Sequence, residues 1–159
     1  MSLEPLYVGR IHVIPVFMEL VPSKTYPEDN MLTEVTVVMT AYNCETFIQQ
    51  QINSILSQTH KNFELKIIDD NSSDKTRDIL NRIQAQDDRI TVIFNDENIG
   101  CTNSFVKGFQ GVKSTYILLC DHDDIWESDK IETLLVNAIG NDLVYSDCVL
   151  INEHGEIIQ

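Results

Sequence analysis

The sequence predicts an α/β fold on a mostly parallel sheet with flanking helices, and three observations predict it. Short apolar runs alternate with segments whose apolar residues recur at helical spacing. The runs are apolar throughout rather than alternately polar, which marks strands covered on both faces. Each run then stops on polar or acidic residues. Strand–helix alternation of this kind gives a layered sheet with helices packed on it.

The elements follow in order from Met31. Val35-Thr36-Val37-Val38-Met39-Thr40 is β-branched and reads as a buried strand. Ile48, Ile52, Ile55 and Leu56 fall on one face of a helix. Leu65-Lys66-Ile67-Ile68 is a second strand, ending at Asp69-Asp70. Asn71-Ser72-Ser73-Asp74 is turn chemistry leading into a helix whose apolar face is Ile79, Leu80 and Ile83. Ile90 to Phe94 is a third strand, followed by a loop from Asn95 to Gly100. Phe105, Val106 and Phe109 mark a helix stopped near Gly111. Tyr116 to Cys120 is a fourth strand, ending at Asp121. Ile131, Leu134, Leu135 and Ala138 mark a last helix, with Gly140 as its stop. Leu143-Val144-Tyr145 starts a fifth strand, 152–155 is a turn, and 156–158 begins a return strand.

The 159 residues suggest one domain, at 31–159. Residues 1–30 read as a separate arm, because all four prolines fall there: Pro5, Pro15, Pro22 and Pro27. Within it, Tyr7 to Phe17 suits an extended segment and Ser23 to Asn30 a polar linker. A chain of this length buries enough surface to need no disulfide framework. Cys44, Cys101, Cys120 and Cys148 show no paired or zinc-type spacing and read as small buried hydrophobes in a reducing compartment. The apolar stretch from Ile11 to Val21 is interrupted by His12, Pro15 and Glu19 and is shorter than the ~20 residues of a membrane span. The expected location is therefore cytoplasmic, or peripheral at the inner face of the membrane.

A net charge of -14 argues against nucleic acid as a partner, since phosphate backbones are bound by clustered Lys and Arg. The same charge constrains small ligands. An acidic protein that binds a nucleoside diphosphate needs a cation between the two. No GxGxxG and no P-loop motif occurs, so a dinucleotide enzyme or P-loop kinase is excluded.

Parallel sheets bind ligands beyond the carboxyl ends of their strands. That rule points to 40–43, 69–74, 95–100 and 121–124. Asp121, Asp123 and Asp124 repel one another unless a proton or cation intervenes, and hard cations prefer oxygen ligands. Successive strand-end residues point to opposite sides, so Asp121 and Asp123 can share a face that His122 does not. Asp123 is then the principal ligand of a manganese or magnesium ion, and His122 is no ligand. A solvated acidic loop is the plainer alternative. Asp70 can accept the N3–H of a uracil or thymine ring, or it can cap the following helix. Asp87-Asp88 and Asp74 read as surface and helix-start residues. Trp126 reads as packing beneath its loop.

These segments together resemble family 2 glycosyltransferases. Thr40-Ala41-Tyr42-Asn43 is similar to the opening motif. Ile55-Leu56-Ser57-Gln58-Thr59, Phe63-Glu64-Leu65 and the run from Ile68 to Thr76 continue it in order. Asn98-Ile99-Gly100 resembles a short Asn-x-Gly element, and Asp121-His122-Asp123-Asp124-Ile125-Trp126 resembles a DxD motif in DxDDxW form. Val144 to Asp147 and Glu153 to Gly155 resemble the segment after it. The resemblance implies a GT-A, Rossmann-like sheet and an inverting, metal-dependent transfer from a UDP- or dTDP-sugar to a glycan or lipid-linked acceptor in bacterial surface polysaccharide synthesis.

The resemblance also implies roles. Thr40, Tyr42 and Asn43 line the nucleotide pocket, with the Tyr42 ring near the base. Asp70 hydrogen-bonds the base. Asp121 meets the ribose or the metal, and Asp123 holds the metal. In the family the catalytic base and the acceptor region lie C-terminal to the matched segment, so the base is expected beyond Gln159, with the chain truncated before the acceptor-binding part. A nucleotide-binding fragment without turnover is one alternative. A nucleotidyltransferase is another, but it calls for a Gly-rich basic loop where Ala41-Tyr42-Asn43-Cys44 stands. A receiver-like signalling domain calls for a Lys after the last strand, and Val144-Tyr145-Ser146 has none.

Overall fold

The structure, a computed structural model, describes residues 35–146 and Val149. Within them the chain runs β1 (Val35–Ala41), α1 (Ile48–Leu56), β2 (Phe63–Asp69), α2 (Thr76–Gln84), β3 (Ile90–Phe94), α3 (Cys101–Phe109), β4 (Tyr116–Cys120) and α4 (Lys130–Ala138). The eight elements coincide with the predicted alternation through residue 138. The arm over 1–30, the turn at 152–155 and the return strand at 156–158 lie outside the described residues.

The strands form one parallel sheet in the order β3-β2-β1-β4. β1 is central. Val35 opposes Phe63 on one side and Tyr116 on the other, and Met39 opposes Ile67 and Cys120. All seven residues of β1 are buried, as an all-apolar strand requires. Its alternate side chains serve different faces. Val35, Val37, Met39 and Ala41 join the main core with Ile48, Ile52 and Ile55 of α1, Leu80 and Ile83 of α2, and Ile131, Leu134 and Ala138 of α4. Val38 faces α3 instead, where Gly108 lies so close that an added Cβ would stand 2.4 Å from Val38 Cγ1.

Two details of the sequence reading are corrected. Leu143-Val144-Tyr145 is irregular rather than a strand, with Leu143 and Tyr145 exposed at 53% and 75%. Among the described residues these three pair with no strand. Cys101 is exposed at the start of α3, whereas Cys44 and Cys120 are buried free thiols. Cys148 lies outside the described residues. Burial pushes the Cys44 thiol up to about 12 and the Cys120 thiol well above its ordinary value, so neither is a thiolate near neutral pH.

Gln58, quoted only as part of a motif, is fully buried between α1 and α4. Its amide donates to the Ser54 and Glu127 carbonyls at 3.1 and 2.7 Å and accepts from the Ile131 N–H at 2.9 Å. Trp126 is buried in the core as expected, with the Lys130 ammonium 4.7 Å from its ring centre. Asp87 forms a bidentate pair with Arg89 at 3.0 and 2.8 Å, a structural role at the entrance to β3.

Candidate functional site

The strand order decides where a ligand can sit. From β1 the chain steps outward through β2 to β3, then returns to place β4 on the other side of β1. The crevice between diverging connections therefore opens at the carboxyl ends of β1 and β4. Met39 opposes Cys120, so the end of β1 and Asp121, the first residue after β4, come side by side. The β1 loop and the acidic β4 loop thus flank one crevice.

Thr40 is still part of β1. It is buried, with its hydroxyl 3.5 Å from Cys101 Sγ. Tyr42 comes next in the loop, 47% exposed. Asn43 is exposed and has φ 47, a left-handed conformation that Asn tolerates better than most residues. Its side-chain oxygen accepts the Ser73 N–H at 2.8 Å, and its own N–H donates to Ser72 Oγ at 3.0 Å. The Glu45 and Thr76 N–H groups donate to Asp74 at 3.1 and 2.9 Å. The β1 and β2 loops are therefore laced into one rim. Asp74 sits two residues before α2, where it accepts the N–H of Thr76, the first residue of that helix, as a helix-start residue does, and it also ties in the β1 loop through Glu45.

Asp69 ends β2 and Asp70 follows it, and both are buried. The Asp69 carboxylate accepts the Ser72 N–H at 3.2 Å and lies 3.4 Å from Arg77 Nε. The Arg77 guanidinium also covers the Phe94 ring at 4.8 Å. Asp70 turns toward the β3 loop. Its Oδ1 accepts Asn95 Nδ2 at 2.8 Å and the Ile99 N–H at 2.9 Å, and its Oδ2 accepts the Gly100 N–H at 2.8 Å. Burial pushes this carboxyl up, but the Ile99, Asn95 and Gly100 donors outweigh it and hold it below the usual carboxylate range. Asp70 thus secures the entry to α3, where Gly100 has φ +84, and not the start of α2.

The β4 loop does not gather its three carboxylates. Asp121 and Asp123 are half-buried, as is His122, whereas Asp124 is 1% exposed. Among the described residues no group of three His, Cys, Asp or Glu side chains could hold a metal ion. Asp121 and Asp123, the pair expected to hold a metal, keep accessible surface, whereas the chain turns at His122-Asp123 and then buries Asp124. Two oxygen ligands still suit a hard cation whose remaining positions are filled by phosphate and water.

Sequence reasoning missed Asn95 and Lys107. Asn95 is 2% exposed and occupies the strand-end position after β3, a signal that the ligand rule already flagged. Lys107 donates to Asn95 Oδ1 at 2.6 Å from the far turn of α3, and no local pattern announces that contact.

The model of the family described as glycosyl transferase family 2 matches residues 36–156. The chain is 40% identical over 97 residues to the Escherichia coli UDP-Glc:alpha-D-GlcNAc-diphosphoundecaprenol beta-1,3-glucosyltransferase WfaP, covering 61% of this chain and 38% of that one. Over 130 residues it is 32% identical to WfgD of the same organism, a transferase with the same activity in its name, covering 76% and 47%. It spans less than half the length of these curated relatives. Among solved structures it is similar to S. aureus TarS 1-349 in complex with UDP-GlcNAc, with TM-score 0.62, 21% identity and coverage of 68% and 32%. The mannosyltransferase PcManGT from Pyrobaculum calidifontis, in complex with GDP-Man and Mn2+, gives TM-score 0.58 at 21% identity, covering 66% and 31%. These structural likenesses establish a shared GT-A fold. The ordered strand-end motifs, the sheet and the family match agree, and the chain belongs to glycosyl transferase family 2.

Proposed function

We propose that this chain is the donor-binding part of an inverting glycosyltransferase that takes a UDP- or dTDP-sugar and serves bacterial surface polysaccharide synthesis on a glycan or lipid-linked acceptor. The observation that carries the reading is the strand order, which sets the β1 and β4 loops side by side, with exposed Tyr42 on one and half-buried Asp121 and Asp123 on the other. The activity in the names of WfaP and WfgD, and the nucleotide sugar bound to TarS, support it.

In this reading Thr40, Tyr42 and Asn43 form one wall, with the Tyr42 ring beside the base. Asp70, held by the Asn95, Ile99 and Gly100 donors with the Ser104 hydroxyl also against it, accepts the imide N–H of uracil or thymine in this reading. Asp121 takes the ribose or the metal. Asp121 and Asp123 supply the oxygen donors for manganese or magnesium. A cation held there screens the diphosphate from a chain of net charge -14 and favours departure of the nucleoside diphosphate. The acceptor hydroxyl attacks the anomeric carbon, the bond to the diphosphate breaks, and a base takes the hydroxyl proton.

Calorimetric titration with UDP tests the reading. UDP is expected to bind in manganese and to lose that binding in excess chelator. Asp123→Ala should abolish the manganese-dependent component, while His122→Ala should keep an affinity close to that of the parent. Equal UDP affinity with and without chelator would sink the metal bridge. A His122 variant that lost the metal while the Asp123 variant kept it would reverse the ligand assignment.

A further inference from the structure

We propose that Asn95 and Lys107 are positioning residues for donor recognition: Lys107 fixes the Asn95 amide, and Asn95 holds the Asp70 carboxylate in its working orientation. The inference rests on the reading of Asp70 as the group that meets the base.

The argument begins with an ambiguity in any buried asparagine. Its side chain is nearly symmetric in shape but has a donor end and an acceptor end. Asn95 faces a carboxylate on one side, so only its NH2 end is tolerable there. Rotation by half a turn would set two oxygens against each other in a buried site. Lys107 removes that choice. An ammonium can only donate, and its Nζ lies 2.6 Å from Asn95 Oδ1. The amide nitrogen is thereby directed to Asp70 Oδ1 at 2.8 Å and to Ser104 Oγ at 3.2 Å. The Asn95 main chain is pinned as well, since its N–H donates to the Asp69 carbonyl at 2.8 Å.

The relay reaches the site through the loop. Asp70 binds the Ile99 and Gly100 N–H groups, and Asn98 Nδ2 donates to the Asp70 carbonyl at 3.2 Å. A carboxylate that drifted would release these N–H groups and change the orientation in which it meets the base. Both Lys107 and Ser104 reach Asn95 only because Gly108 lets α3 lie directly on β1 and β2. The Thr40–Cys101 contact ties the first residue of α3 to β1.

The test uses the full chain with Lys107→Met, which keeps the stem and removes the donor, and Lys107→Arg, which restores a donor-only cation. Two readouts are taken. Amide hydrogen exchange is followed without nucleotide, and UDP and CDP are titrated in manganese. In Lys107→Met, exchange at Ile99 and Gly100 should accelerate about tenfold while the Val38 amide of β1 is unchanged. UDP should bind about tenfold more weakly, and the preference for UDP over CDP should shrink, because CDP offers no N3–H donor. Lys107→Arg should return all three values toward the parent. Unchanged exchange at Ile99 and Gly100 would overturn the relay. Faster exchange with parental UDP affinity would overturn its role in recognition. A parent chain that binds no UDP would overturn the donor-site reading and the recognition role with it, while the exchange data would still identify the relay.

Discussion

Asp70→Ala is expected to cost the domain roughly 3–6 kcal/mol, because each of the three buried donors left without its acceptor costs about 1–3 kcal/mol and the loop recovers part of the loss by relaxing. The donors are the Ile99 N–H, the Gly100 N–H and Asn95 Nδ2. Read from sequence alone, Asp70 touches a ligand, and its removal weakens binding without unfolding anything. The structure changes that expectation, since the carboxylate first holds the entry to α3. Urea unfolding of the parent and the variant measures the difference. A variant that unfolds within about 1 kcal/mol of the parent would show that the loop holds without the clamp.

The same clamp has a pH signature. The folded carboxyl lies below the unfolded value of about 3.9, so its stabilisation is complete above that value and disappears as pH falls through the folded one. Asp74 and Asp87 are lowered too, so the parent alone does not isolate Asp70. The gap between parent and Asp70→Ala does. It should be constant from pH 7 to about pH 5 and narrow in more acid solution. A gap that widened on acidification would reverse the assignment.

Gly108→Ala should destabilise the domain by about 2–3 kcal/mol despite the gain of roughly 1 kcal/mol that alanine brings to a helix interior. The new methyl would meet Val38 Cγ1 at 2.4 Å and Ile68 Cγ1 at 3.4 Å. Neither neighbour can yield cheaply, because Val38 and Ile68 are 0% exposed in the two central strands. The helix must lift instead, drawing Lys107 and Ser104 away from Asn95. UDP affinity should therefore fall along with stability. Adding Val38→Ala opens the space the methyl needs, so the double variant should be more stable than the sum of its two single losses. Strict additivity would show that the clash is not the cause.

Much of this protein was legible in its sequence because the signals are local. Apolar β-branched runs and helical spacing mark eight elements, and they need no knowledge of their neighbours. The strand-end rule then gave the loops that carry Thr40, Tyr42, Asn43, Asp70, Asp121 and Asp123, since topology alone sends a parallel sheet's ligands there. The short run Leu143-Val144-Tyr145 failed because a strand exists only by pairing, and its local pattern says nothing of a partner. The exposure of each carboxylate in Asp121–Asp124 was beyond the sequence for a related reason. Spacing shows three carboxylates together, but only the turn at His122-Asp123 decides that Asp124 is buried while Asp121 and Asp123 stay half-buried.

The strand order that brings the β1 and β4 loops together could not be read from any segment. Nor could the partners of Asp70, which come from residues 25 to 30 positions away. Hydrogen bonds across such separations are set by how α3 settles on the sheet, and that is fixed by close packing at Gly108 and Val38. Sequence determined which residues stand at the strand ends. Tertiary packing decided which of them stay accessible and which are tied into the loops, because side-chain partners are chosen by proximity in space.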